Sequence, residues 1–266
     1  MSESEFMERD HEELQYLDNV LADVSTSKAT RAGLLKKAAV GAVGIGVLGQ
    51  ATSAFAATSA DSAATITTDA ITAEALAVSV LTAAIKASPG TKAAPFIPVL
   101  KAANQAEFDH YETLASLGAK PLTTKFWIPN AALGAGNINL FATLEVAETL
   151  FINAYLIAIT AFAKATNDKL ARYAGEILGV EAVHRALARY ANSVVHGQTT
   201  LTRSNVPNNK GFETYTIKTI GGIVGALEGA GFGFGKQGAT PGQFVDFPGN
   251  PSNNGTGFYE VAPKPA

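Results

Sequence analysis

Apolar residues recur at three- and four-residue spacing in four stretches, roughly residues 62–87, 96–117, 138–166 and 168–195, each bounded by Gly, Pro, Asn or Asp. The pattern predicts four helices, each about 30 to 40 Å long. In the first, Ile71, Glu74, Val78, Leu81 and Ile85 form one seam; in the second, Leu100, Ala103, Glu107, His110, Leu114 and Leu117 do. The third seam runs Phe141, Leu144, Glu148, Phe151, Tyr155 and Phe162, and the fourth Ile177, Glu181, His184, Ala188 and Ala191. Each inward stripe is therefore broken at mid-helix by Glu or His, where a core side chain is expected.

The links between the first and second helices and between the third and fourth are short, which predicts antiparallel neighbours. Residues 118–137, with Pro121, Trp127, Pro129 and Gly134, are too long for a tight turn and read as a crossover. The expected fold is all-α: a four-helix bundle with one long crossover between helices 2 and 3, the third helix starting at the end where the second finished. From Thr199 onward Asn, Gly and Pro dominate around one short helix near residues 215–228, which predicts an irregular tail packed over the bundle. The glycines from Gly221 to Gly238 lack the strand and lysine of a phosphate loop and read as flexible. The apolar run Leu150 to Ala163 is too short for a membrane span and reads as a buried helix.

The polar breaks repeat. Glu74 precedes the Glu107-x-x-His110 pair by 33 residues, and Glu148 precedes Glu181-x-x-His184 by 33. A Glu on one helix and Glu-x-x-His on the next, given twice, is how four-helix bundles hold two metal ions. Four carboxylates buried together are unfavourable unless protonated, hydrogen-bonded or neutralised by cations. Two divalent ions balance four Glu, and oxygen with imidazole suits iron, with manganese and zinc as alternatives. Glu-x-x-His alone is a weak signal, as Glu8-x-x-His11 illustrates, and the same residues could form a metal-free hydrogen-bonded network. Glu145 competes with Glu148 for the third-helix position, but spacing and seam favour Glu148. Glu112 and Glu176 lie off the seams, and His196 reads as a helix C-cap or surface residue. Tyr155 reads as core packing, with a redox-active or gating phenol near the metals as the alternative.

Composition narrows the classes. The chain has 266 residues, 47% apolar and 16% charged, and no cysteine, so any metal must sit on carboxylates and imidazoles. Arg31, Lys36 and Lys37 precede an apolar run from Ala38 to Gly49, followed by Ala54-Phe55-Ala56, the form of an export signal cut after Ala56. Thr30-Arg31-Ala32-Gly33-Leu34-Leu35-Lys36 resembles a twin-arginine signal in which Ala32 replaces the second arginine, so the general secretory route and an uncleaved anchor stay open. Gly44-x-Gly46-x-x-Gly49 fits a dinucleotide fingerprint by letter but lies in this apolar run. Without residues 1–56, fifteen acidic and fifteen basic residues remain, which argues against nucleic-acid binding and a polybasic membrane patch. The organisation expected is an export signal over 1–56, a helical bundle over 57–200 and a C-terminal extension over 201–266, with no stable membrane span after cleavage and a cell-envelope or extracellular location.

Glu107-Phe108-Asp109-His110 with Leu114 to Leu122, Leu144 to Tyr155, and Ile177 to Arg185 together resemble the bacterial exported ferritin-like domain proteins related to plant desiccation-related proteins. The resemblance covers about residues 60–200. It implies a ferritin-like bundle with a di-iron carboxylate site, on which Glu74, Glu107, His110, Glu148, Glu181 and His184 inherit the ligand role. It supplies no reaction. Three readings remain: an exported di-metal protein that reacts with dioxygen or peroxide as an oxidase, ferroxidase or peroxide scavenger; a non-catalytic stress protein using the bundle as a scaffold, with Phe126-Trp127-Ile128 docking a partner; and iron storage in a cage, which the tail and crossover would obstruct. The oligomeric state is left open, with a dimer as one choice.

Overall fold

The computed structural model describes residues 61–133, 139–198 and 210–258, together with 200, 202, 206 and 207. The export signal read over residues 1–56 lies outside them. The described elements are α1 (Ala63–Ala87), a 3-10 turn (Ala94–Phe96), α2 (Ile97–Ser116), β1 (Lys125–Pro129), the single-turn α3 (Asn130–Leu133), α4 (Leu140–Lys164), α5 (Asp168–Val195), α6 (Ile220–Gly229), β2 (Gly233–Phe234), β3 (Gly242–Asp246) and a closing 3-10 turn (Pro251–Asn254). The protein is mostly helical, in keeping with the all-α expectation, with a small three-stranded sheet added to the helices.

Local chemistry sets the helix ends. Ser62 caps α1 by accepting from the Thr65 amide, Asn167 caps α5 through the Leu170 amide, and Pro98 sits in the first turn of α2. The C-termini of α2, α4 and α5 close with paired 6→1 and 5→2 backbone bonds, and Gly118 and Gly197 supply the left-handed residue for two of them. At the α4–α5 turn Thr166 takes that role at φ 54°, and the next residue already caps α5. So short a link forces α4 and α5 side by side.

Long-range contacts give the directions. Gly175 on α5 faces Ile159 on α4, while Arg189 reaches Glu145, so these helices run antiparallel. Asn104 on α2 bonds to Thr82 on α1, and His110 approaches Glu74, so that pair is antiparallel as well. The expected direction of the crossover is overturned. Phe96, before α2, packs edge-on against Phe141 at the start of α4 with ring centroids 5.1 Å apart. Leu114 and Leu117 at the far end of α2 line one pocket with Phe162 of α4. Helices α2 and α4 are therefore parallel, and the crossover travels their length instead of turning at one end.

Along that path the chain forms β1, which sits between β2 and β3 of the C-terminal region, antiparallel to both. Phe126 and Ile128 are fully buried, and the Trp127 indole donates to the Thr240 carbonyl at 3.0 Å. Phe126 and Ile128 thus belong to the core, while Trp127 is half-buried. The glycines read as a flexible tail serve it. A Cβ on Gly238 or Gly242 would meet the Trp127 ring at 2.6 Å, so their absence of side chains admits the indole. Asn153 on α4 holds the backbone of Ile217 from both sides, and Asn104 holds Thr256, tying the extension to the long helices. By length and composition α1 and α4 are each apolar enough to cross a membrane, because the helix around Leu150 to Ala163 has 25 residues and outruns that apolar stretch. In this structure both contribute buried residues to the shared core.

Candidate metal centre

The four long helices each carry their polar break at the same level, and their packing brings all six residues together. Glu74 comes from α1, Glu107 and His110 from α2, Glu148 from α4, and Glu181 and His184 from α5. The i, i+3 spacing puts Glu and His of one pair on a single helical face. Two groups of ligand atoms result, each lying within 4.8 Å of one another: Glu74, Glu107, His110 and Glu181, and then Glu107, Glu148, Glu181 and His184. Glu107 and Glu181 belong to both. The two groups thus share a pair of carboxylates, and each has one carboxylate and one imidazole of its own.

Both imidazoles turn Nδ1 inward, and each approaches the shared carboxylate of the other's helix. His110 Nδ1 lies 3.3 Å from Glu181 Oε1, and His184 Nδ1 lies 2.8 Å from Glu107 Oε1. His110 is also 3.5 Å from Glu74 and from Glu107, too far for a good hydrogen bond. Glu74, Glu107 and Glu181 have no exposure to solvent, and Glu148 has almost none.

Buried carboxylates at such spacing distort one another's ionisation. Burial first, and then repulsion by Glu107 and Glu181, push Glu148 well above the usual carboxylate range. Glu74 is raised by burial and the same two neighbours, against the attraction of His110. Burial acts on Glu107 in the same direction, but contacts with His110 and His184 outweigh it and hold this carboxyl well below its usual range. Burial disfavours both imidazolium ions, yet the surrounding carboxylates raise His110 and His184 well above 6.5. The metal-free cluster is a set of charges that only protons can balance.

The donor set fits divalent ions better than it fits a closed proton network. Glu74 Oε2, both oxygens of Glu107, Glu148 Oε2, Glu181 Oε1 and His110 Nδ1 are buried without a hydrogen bond. Even the 2.8 Å approach of His184 to Glu107 leaves that oxygen without an aligned donor. Buried polar atoms are ordinarily satisfied, and an inward-facing ring of unsatisfied oxygens with two imidazole nitrogens is what a cation would complete.

The neighbours sort themselves by the same geometry. Glu145, the competitor on α4, is buried 3.5 Å from Arg189 and lies outside both ligand groups. Glu112 is exposed and Glu176 pairs with Arg172 at the surface. His196 is the C-cap of α5, its Nδ1 2.9 Å from the Asn192 carbonyl. Tyr155 was expected as packing; it is buried, but its hydroxyl donates to Glu74 Oε1. Burial and the Glu74 charge raise the phenol well above 10, so it stays a donor. Its place on the Glu148 seam was the only sequence signal for this contact, and a core tyrosine gives the same signal.

Comparison of the chain with protein-family models, with curated proteins and with solved structures finds no match in any of the three.

Proposed function

We propose that this chain is an exported ferritin-like protein whose four long helices form a bundle around a pair of divalent metal ions, iron in the first place. Glu107 and Glu181, common to both ligand groups, would help to hold both ions. Glu74 with His110 would complete one position, and Glu148 with His184 the other. The single observation that carries the reading is the pair of four-residue ligand groups sharing two carboxylates, with their inward oxygens unsatisfied. The resemblance to exported ferritin-like, desiccation-related proteins and the leader-like N-terminus support the fold assignment and the location.

Bound iron or manganese supplies Lewis acidity and electrons for the reduction of dioxygen or peroxide. The chain's own residues do the rest. The i, i+3 pairs fix the reach of four ligands from two rigid helices. Tyr155, by donating to Glu74 Oε1, sets the direction in which that carboxylate presents its other oxygen. The carboxylates are themselves buried, which keeps water from them and strengthens their hold on a cation. This donor set supports an oxidase, ferroxidase or peroxide-scavenging role.

Reconstitution of the full chain with ferrous iron, manganese or zinc, followed by elemental analysis, tests the proposal. Two equivalents per chain are expected; less than about 0.2 equivalents of every metal would remove it.

A further inference from the structure

A pocket lies against the centre on the side away from the histidines. It is enclosed by α1, α4 and α6, with Ile66, Phe151, Ala154, Ile223, Val224 and Phe234 among its walls, and both Glu74 and Tyr155 line it. Its cavity volume is about 40 Å³, room for a gas-sized guest. Small side chains leave this room: Ala70 and Ala73 on α1 face Ala154 and Ala158 on α4.

Water has little to hold there. Of the lining residues only Asp69, Thr72, Glu74 and Tyr155 carry polar side-chain atoms. The Thr72 hydroxyl donates to the Thr68 carbonyl and accepts from the Leu122 amide, and the Tyr155 hydroxyl is committed to Glu74. That leaves the Asp69 and Glu74 carboxylates to hold water at the polar edge, while the rest of the lining is apolar and suits apolar guests. Asp69 is half-buried, and a carboxylate there disfavours anionic guests.

The outer wall comes from the C-terminal extension. Helix α6 is placed over α1 and α4 by the Asp61 carboxylate, which accepts from the Ile220 amide, and by the two bonds between Asn153 and Ile217. The extension thus closes a space that the long helices alone would leave open, directly beside one ligand of the centre and not the other.

We infer that this pocket binds a small, uncharged apolar molecule and presents it to the Tyr155–Glu74 edge of the centre. Dioxygen and a small hydrocarbon share that chemistry. The inference rests on the proposed metal centre only for what lies behind Glu74; the binding itself does not require metal.

Two probes and two filling variants test it on the full-length protein. Xenon pressurisation of crystals locates gas-sized guests, and toluene binding followed by calorimetry reports hydrocarbon-sized ones. Ala154→Leu fills the pocket from α4 and Val224→Phe from α6; neither residue is a proposed ligand. Xenon in the pocket of the parent chain, lost in both variants, supports the inference and assigns a gas-sized guest; toluene binding lost in the same way extends it to hydrocarbons. Absence of both probes, ordered water filling the pocket, or undiminished binding in both variants overturns it. Metal content measured on the same samples reports separately on the centre: a chain that takes xenon but no metal fails the metal reading and keeps the pocket.

Discussion

Helices α1 and α2 on one side and α4 and α5 on the other offer the same ligands at the same 33-residue spacing, yet their surroundings differ. Seven residues after Glu148 comes Tyr155, which crosses to bond Glu74; seven residues after Glu74 comes Leu81, which has nothing to donate. Three residues before Glu148 is Glu145, 3.5 Å from Arg189, whereas three before Glu74 is the buried Ile71. The apolar pocket touches Glu74 alone among the six. A repeated pattern of Glu and His therefore does not produce two equal candidate positions among the described residues. The one on Glu74 and His110 has an oriented carboxylate and an apolar approach, and the one on Glu148 and His184 has neither.

The most disruptive change ignores that difference. Glu107→Ala or Glu181→Ala removes a carboxylate common to both groups, so both equivalents of metal are lost together while circular dichroism shows the helices retained. Loss of only one equivalent would mean that the carboxylate is not shared. Glu74→Ala and Glu148→Ala should each lose one equivalent. Removing a ligand costs more than the roughly 10–100-fold in affinity attributed to losing an outer partner, so the vacated position should read as empty by elemental analysis at micromolar metal.

These experiments follow from residues that the sequence itself disclosed. The six clustered residues were legible because helical periodicity puts Glu and His where only apolar side chains are otherwise tolerated, and because the spacing repeats. The sheet was not legible. Strand β1 has five residues and β2 only two, and their partners are separated by more than a hundred residues, so no local alternation announces them. Glycines around Trp127 looked like flexibility and turned out to be clearance for a ring. The path of the crossover was misread for a related reason: the length of a link does not say at which end it arrives, whereas the Phe96–Phe141 contact and the meeting of Leu114 and Leu117 with Phe162 do. Tyr155 was visible as a seam residue, but which carboxylate it meets depends on the packing of α1 against α4.

Tyr155→Phe separates the two positions more gently. It removes the donor to Glu74 Oε1 without altering any ligand, and should weaken metal at the Glu74–His110 position by about 10–100-fold while sparing the other. Competition with a chelator on the zinc-loaded protein would resolve two affinities that spread further apart in the variant. Equal weakening of both would show that the phenol acts on the whole cluster and not on one side of it.

The smallest expected effect is the pH dependence of the metal-free protein, because its contributions partly cancel. Glu74 and Glu148 are raised above 4.5, and His110 and His184 above 6.5, so each favours folding fully below its unfolded value and loses that contribution as pH rises through the folded one. Glu107 is lowered, so its contribution is present above 4.5 and is lost as pH falls. The four raised groups act in one sense and Glu107 only below 4.5, so denaturant midpoints of the metal-free chain should decline as pH rises above about 6.5. Loading with zinc should reverse the slope, since metal binds the deprotonated ligands. The two halves differ here too. The rise of Glu74 is opposed by a contact with His110 as well as by its charge, whereas that of Glu148 is opposed by the His184 charge. Glu74→Gln and Glu148→Gln should each flatten the metal-free slope, and a slope unchanged in either variant would show that its carboxyl does not take up a proton on folding.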